Sequence, residues 1–219
     1  MELIGTIVRL QVQRSSLKLG ERPRRWFDPA PLATVASLEL EEGGVVGVTE
    51  QGERILDVHN RRHPESRYGN GNGLSVGFTS HYEQMQDRFG ERIVEGIAGE
   101  NVIVRTEREF RREELPADVV VETAEGRTQL VGVRPIEPCV EFTRYALGLA
   151  EVGPPEQDLA TPAEHYAADL AGGGSVGAGK PDPHVKEALV FLRRGTRGYC
   201  LTYAGGPNVL RVGDRLLLP

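Results

Sequence analysis

Glycine and proline cut the apolar stretches of this chain into short pieces, and that punctuation limits what it can build. Residues 3–12 are rich in Ile, Val and Leu and give way to a polar, proline-containing loop over 14–31, with Trp26 and Phe27 as its aromatic anchor. Residues 33–40 alternate through Val35, Leu38 and Leu40; Glu42-Gly43-Gly44 then turns the chain into 45–49, and Gln51-Gly52 turns it into 55–58. Further strands are expected over 74–78 and 102–104. Residues 119–121 and 129–133 read as a hairpin around Glu125-Gly126, and 198–203 and 209–218 as a second around Gly205-Gly206-Pro207-Asn208. Many short strands joined by glycine turns form a barrel or sandwich rather than a helical bundle. With 27 Gly and 14 Pro the fold class is mainly β.

Two helices interrupt the strands. Ser80 and Glu83 have capping-box spacing, Phe78, Tyr82, Met85 and Phe89 form one apolar face, and Gly90 supplies the stop. The aromatic stripe is expected in the core, and His81 is open between core and site. A second helix opens at Asp182-Pro183, carries Val185, Leu189 and Leu192 on one face, and ends at Arg193-Arg194-Gly195. Between them, 147–182 is rich in Gly, Ala and Pro. Its one helix candidate starts at Thr161, Pro162 and Glu164 and stops at Ala171-Gly172-Gly173-Gly174. We read 1–219 as a single domain with 147–182 as an insertion or lid.

A chain of 219 residues can bury a sizeable core. A formal net charge of -6 argues against nucleic acid as a partner. Positive charge is local, in Arg22, Arg24 and Arg25, in Arg61, Arg62 and Arg67, and in Arg111 and Arg112. Two cysteines are too few for a disulfide framework, which points to a reducing compartment. The first residues lack the basic start of a signal peptide, and no apolar run is long enough to span a bilayer. A cytoplasmic protein without membrane contact is expected.

The stretch with chemistry is Val133-Arg134-Pro135-Ile136-Glu137-Pro138-Cys139. It places a thiol at a strand end, beside prolines that stiffen the backbone, between Arg134 and Arg144. Nearby positive charge favours the thiolate, the form that attacks electrophiles and binds metals; a buried structural cysteine is the alternative. Cys200, inside an apolar strand, is assigned to the core. Asp57 and His59 would share a face if they lay on a strand, which would suit a metal or an anion. A polar turn, or a basic loop presenting Arg61, Arg62 and Arg67 to an anion, fits the same residues. The glycine-rich 68–73 lacks the Lys-Ser/Thr of a P-loop and reads as a turn.

Three islands, in order, resemble the MOSC domain family, named for the C-terminal domain of molybdenum cofactor sulfurase. They are Gly99-Glu100-Asn101 entering a strand, Arg134-Pro135-Ile136-Glu137-Pro138-Cys139 around the key cysteine, and Arg197-Gly198-Tyr199 followed by Val212-Gly213-Asp214-Arg215. The helix over 80–88 also falls in its place. Pro64-Glu65-Ser66 stands where the family has a His-Gly-Gly turn, and the segment between Arg144 and Asp182 has no counterpart that aligns.

The resemblance implies a closed, mostly antiparallel β-barrel with a few flanking helices. It also implies a molybdenum-pterin cofactor with Cys139 as the metal ligand, or a persulfide on Cys139. A soft thiolate suits either role. Arg61, Arg62, Arg134, Arg144 and Arg197 are candidates for the cofactor phosphate, because guanidinium matches phosphate oxygens bidentately. Asn101 is a candidate for the pterin or for a structural turn. The implied activity is an oxidoreductase acting on a small-molecule substrate and, as in some relatives, reducing N-hydroxylated compounds. Because the sequence carries no flavin, haem or iron-sulfur motif, an external redox protein would supply the electrons. A sulfur carrier served by a sulfur-donor protein, and a non-catalytic barrel that binds an anion or a partner, are the alternatives.

Overall fold

The computed structural model describes residues 1–21, 24–69, 71–111, 114–149 and 182–219. Most of the 147–182 insertion, its helix candidate at Thr161, Pro162 and Glu164, and Arg22 and Arg112 lie outside these residues. The strands are β1 (Glu2–Gln13), β2 (Lys18–Leu19), β3 (Trp26–Phe27), β4 (Leu32–Thr34), β5 (Ser37–Glu41), β6 (Gly44–Val48), β7 (Arg54–Leu56), β8 (Leu74–Phe78), β9 (Val102–Arg105), β10 (Asp118–Thr123), β11 (Gly126–Pro135), β12 (Tyr199–Gly205), β13 (Val209–Arg211) and β14 (Arg215–Leu218). Among the described residues the helices are α1 (Thr79–Phe89), α2 (Val140–Ala146) and α3 (Pro183–Phe191), the last continued by a π-helical turn over Leu192–Thr196.

Seven strands close a ring, β14-β10-β11-β12-β8-β9-β1, which returns to β14. Closure removes the unpaired edges that invite aggregation. The pairing of β8 with β9 is parallel, because α1 carries the chain from the end of β8 back to the start of β9. The other pairs in the ring are antiparallel. A four-stranded sheet, β13-β5-β6-β7, lies alongside, and β2 and β3 form a small hairpin.

Alternation along the strands divides the core in two. Leu74, Val76, Val102, Val104, Tyr199 and Leu201 point into the barrel with Ile7, Leu10 and Leu216. Residues out of phase with them face outward. Ile103 packs there against Tyr82 and Met85 of α1, Phe142 of α2, and Phe27. The short strands were legible because a strand buried on one face must alternate.

Several local expectations fail: 33–40, expected as one strand, is β4 and β5, and the expected loop over 14–31 contains the β2–β3 hairpin. The hairpin predicted from 198–203 and 209–218 does not form: β12 pairs with β11 and β8, β13 with β5, and β14 with β1 and β10. The Gly205-Gly206 turn, with φ of 143° and 101°, leads the chain out of the barrel into the second sheet instead. The predicted capping box is also absent. β8 runs straight into α1 with extended Phe78 at the N-cap and no side-chain cap. The Ser80 hydroxyl donates to the Arg108 carbonyl, and Thr79 exchanges hydrogen bonds with Thr106. The hydroxyls of the first turn are thus spent on the backbone of the following loop and cap nothing. By contrast, Gly90 ends α1 as predicted, and Asp182 caps α3 by accepting from the His184 amide at 2.8 Å.

His81, in the first turn of α1, is core. It is 1% exposed and donates from Nε2 to the Phe110 carbonyl at 3.0 Å. Burial pushes its pKa down to about 4, against the opposing effect of that hydrogen bond. Between about 4 and the ordinary 6.5 the unfolded chain therefore binds more protons than the folded one, so stability falls as pH drops through this window. The full loss is about 3 kcal/mol. Denaturation curves at pH 7 and pH 4 should show His81→Leu losing less stability on acidification than the wild type, by about that amount. Equal losses would place His81 in contact with water.

Candidate functional site

Two extended neighbours fix where the sulfur of Cys139 sits. β11 pairs with β12, bringing Arg134 opposite Cys200 and Pro135 opposite Tyr199. One residue further on, the Ile136 amide donates to the Gly198 carbonyl at 2.9 Å. The chain then turns at Pro138, which lacks an amide hydrogen, and Cys139 becomes the N-cap of α2. Its Sγ accepts from the Phe142 amide at 3.5 Å.

Beside it opens a cavity of about 340 Å³. Its floor is the outward face of the barrel wall, with Ser75 of β8, Cys200 of β12, Gln13 at the end of β1 and the Gly99-Glu100 approach to β9. The turn after β7 supplies His59, and the loop and hairpin around β2 and β3 supply Lys18 and Arg25. The sulfur thus lies against the outer wall, not at the barrel mouth.

The cationic wall centres on Arg197. It is 7% exposed, holds the Glu100 carboxylate at 2.5 Å, donates to the Ala98 carbonyl at 2.9 Å, and lies 4.4 Å over the Phe142 ring. Its Nε is buried without a partner among the described residues. Tyr82 donates to the other Glu100 oxygen at 2.5 Å, and burial, reinforced by the Glu100 charge, pushes the phenol pKa well up. Arg25 pairs with Glu141 at 3.3 Å. Lys18 and Arg67 also line the cavity, and neither side chain has an ion-pair partner among the described residues.

Of the residues singled out from sequence, Cys139, Arg197, His59, Arg67 and Arg25 line this cavity together. Arg61 lies over the Tyr68 ring at 4.6 Å, and Arg62 pairs with Glu41 at 2.5 Å; both are exposed and outside it. Arg134 and Arg144 are exposed on β11 and α2, also outside the lining, although the Arg134 charge is felt at Cys200. Asn101 is 2% exposed and its amide is spent within the fold. It donates to Gln11 and Asp57 and accepts from the Ser75 amide and hydroxyl.

The sequence reading of Cys200 as core is corrected: it is half-buried and faces the same cavity. Tyr199 and Leu201 point into the barrel, so Cys200 between them must point outward. Burial pushes its pKa up, with the Arg134 and Arg197 charges pulling the other way, so the neutral thiol is favoured.

Asp57 and His59 are not on a strand, since β7 stops at Leu56. They meet in a turn instead. One oxygen of Asp57, a residue with no exposed surface, accepts from both the His59 amide at 2.8 Å and Nδ1 at 3.0 Å. No three His, Cys, Asp or Glu side chains converge as a metal cluster among the described residues.

A closed barrel carrying a cation-lined cavity with two thiols on its outer wall defines the class of site. No protein-family model and no curated protein matches the chain. Among solved structures, the YuaD protein from Bacillus subtilis is similar at 13% identity and a TM-score of 0.46, over 97% of this chain and 96% of that one. YiiM from Geobacillus stearothermophilus is similar at 13% identity and a TM-score of 0.45, over 100% and 74%. YiiM from Escherichia coli follows at 14% identity and 0.43, over 85% and 64%. At these scores the assignment of the fold stands on the strand order and ring closure given above.

Proposed function

We propose that this chain is a MOSC-domain protein that holds a molybdenum-pterin cofactor through Cys139 and acts as an oxidoreductase on small N-hydroxylated compounds. The observation that carries this reading is the Cys139 sulfur facing a cavity of about 340 Å³ together with Lys18, Arg67 and Arg197. The volume is within the roughly 300–1,000 Å³ usual for small-molecule sites.

The residues present fit such a group. One soft thiol can add a single bond to a metal that brings its other ligands with it, whereas no cluster among the described residues would chelate a bare ion. Lys18 and Arg67 are available to a phosphate. When bound, the cofactor would supply two-electron transfer to the substrate. The N-cap geometry holds the Cys139 sulfur in one direction, Leu17 and Phe27 give the cavity apolar wall, and an external protein supplies electrons.

Metal analysis of protein from a cofactor-competent host should find molybdenum near one equivalent in the wild type. In Cys139→Ala it should be lower by an order of magnitude. Molybdenum far below one equivalent in the wild type, or equal in both proteins, would overturn the reading.

The second thiol in the cavity favours one alternative, a sulfur carrier with a persulfide on Cys139. Persulfide-sensitive mass spectrometry should then find one added sulfur on the peptide containing Cys139, and an unmodified thiol throughout would exclude it.

A further inference from the structure

Asp57 has no exposed side-chain surface, yet no lysine or arginine pairs with it among the described residues; its ion-pair partner is His59. A buried carboxylate is costly unless its oxygens are satisfied, and here four donors do so. Oδ1 accepts from the His59 amide and Nδ1; Oδ2 accepts from the Gln13 amide at 2.8 Å and from Asn101 Nδ2 at 2.9 Å. This arrangement puts hydrogen on Nδ1 of His59 and leaves Nε2 as the ring nitrogen available to a ligand. His59 keeps 27% of its side chain exposed and lines the cavity shared with Cys139. His63, by contrast, spends both ring nitrogens on backbone groups.

We propose that His59 is the proton donor of this cavity, with Asp57 as the residue that positions it and Asn101 as the residue that positions Asp57. The inference rests on the reductase reading above and adds the residue that supplies its proton. Reduction of a hydroxylamine consumes two electrons and two protons. The N–O bond breaks, and the oxygen leaves as water after taking a proton from Nε2 of the imidazolium. The nitrogen takes the second proton from solvent and becomes the amine. Both electrons come from a reduced electron-transfer protein, and solvent returns a proton to His59. The Asp57 carboxylate at Nδ1 holds the ring in one orientation while Nε2 transfers the proton.

The test uses the cofactor-loaded protein with phenylhydroxylamine as substrate and reduced methyl viologen as electron source. His59→Gln should retain molybdenum and KM within about twofold and lose about 10²–10⁴-fold in kcat. Asp57→Asn should lower kcat similarly, since an amide at Nδ1 favours the wrong tautomer. A readout independent of turnover is the nitrogen NMR spectrum of the His59 ring in the cofactor-free wild type. It should report hydrogen on Nδ1, and an Nε2-H tautomer would overturn the proposal. So would a His59→Gln protein with wild-type kcat, or one whose defect is confined to lost molybdenum. A wild type that holds molybdenum but is unaffected by His59→Gln fails this inference alone. A wild type without molybdenum fails the reductase reading and the inference with it.

Discussion

Arg197→Met should destabilise the protein by about 3–5 kcal/mol, the cost of removing one partner from a buried ion pair. Glu100 is 1% exposed, and the guanidinium is its cationic partner at 2.5 Å. With Arg197 gone, Glu100 keeps only the Tyr82 hydroxyl among the described residues, the Ala98 carbonyl loses the Arg197 donor, and Phe142 loses the cation over its ring. Met fills the volume of the side chain, so the loss reports charge and hydrogen bonding rather than a cavity. The check is urea denaturation of the single variants and of Arg197→Met with Glu100→Met. The double variant should recover much of the loss, because no stranded charge remains. A single variant costing less than about 1 kcal/mol would mean that water reaches Glu100. The same experiment bears on the site, since Arg197 and Glu100 both wall the cavity.

The barrel was legible because its evidence is local. A strand buried on one face must alternate, and glycine often stands where the chain turns, so β1, β6, β7, β8, β9, β10 and β12 could be read within a residue or two of their ends, while 33–40 and 209–218 each prove to be two strands. Strand pairing is not local. Nothing near Val209 says that it will pair with Glu39 rather than with the preceding strand. The thiol at Cys139 could be singled out because prolines and arginines crowd it in sequence. The arginines that flank it there, Arg134 and Arg144, are exposed and outside the cavity lining, and the cations lining it with the sulfur include Lys18, Arg67 and Arg197. Those residues are far apart along the chain and meet only once the ring closes. Cys200 was recoverable from alternation alone, since a residue between two inward neighbours faces out. The Asp57–His59 pair was visible as a spacing, but its geometry depends on Gln13 and Asn101, which arrive from β1 and from the approach to β9.

Gly198 joins Arg197 of the cavity to Tyr199 of the barrel core, and Gly198→Ala should cost about 2–5 kcal/mol. Two effects add. The residue has a φ of 76°, where a β-carbon costs about 1–2 kcal/mol. A β-carbon there would also overlap the Val76 carbonyl oxygen and crowd the Gly77 backbone. Those atoms belong to β8, which is held between β12 and β9 and cannot retreat without breaking its ladders, so overpacking adds about 1–3 kcal/mol. Gly52→Ala separates the two. Its φ is 81°, but nothing lies within 4 Å of the new carbon, so that variant carries the conformational cost alone. Comparison of urea midpoints at equal m-value should therefore show Gly198→Ala well below Gly52→Ala. Equal losses would mean that β8 yields easily, and the wall behind Cys200 and Ser75 would then be soft. A stiff wall implies more than stability. Any shift of β12 forced by the alanine is passed to Arg197 at one end and to Cys200 three residues on, so a destabilised Gly198→Ala should also loosen ligand binding in the cavity.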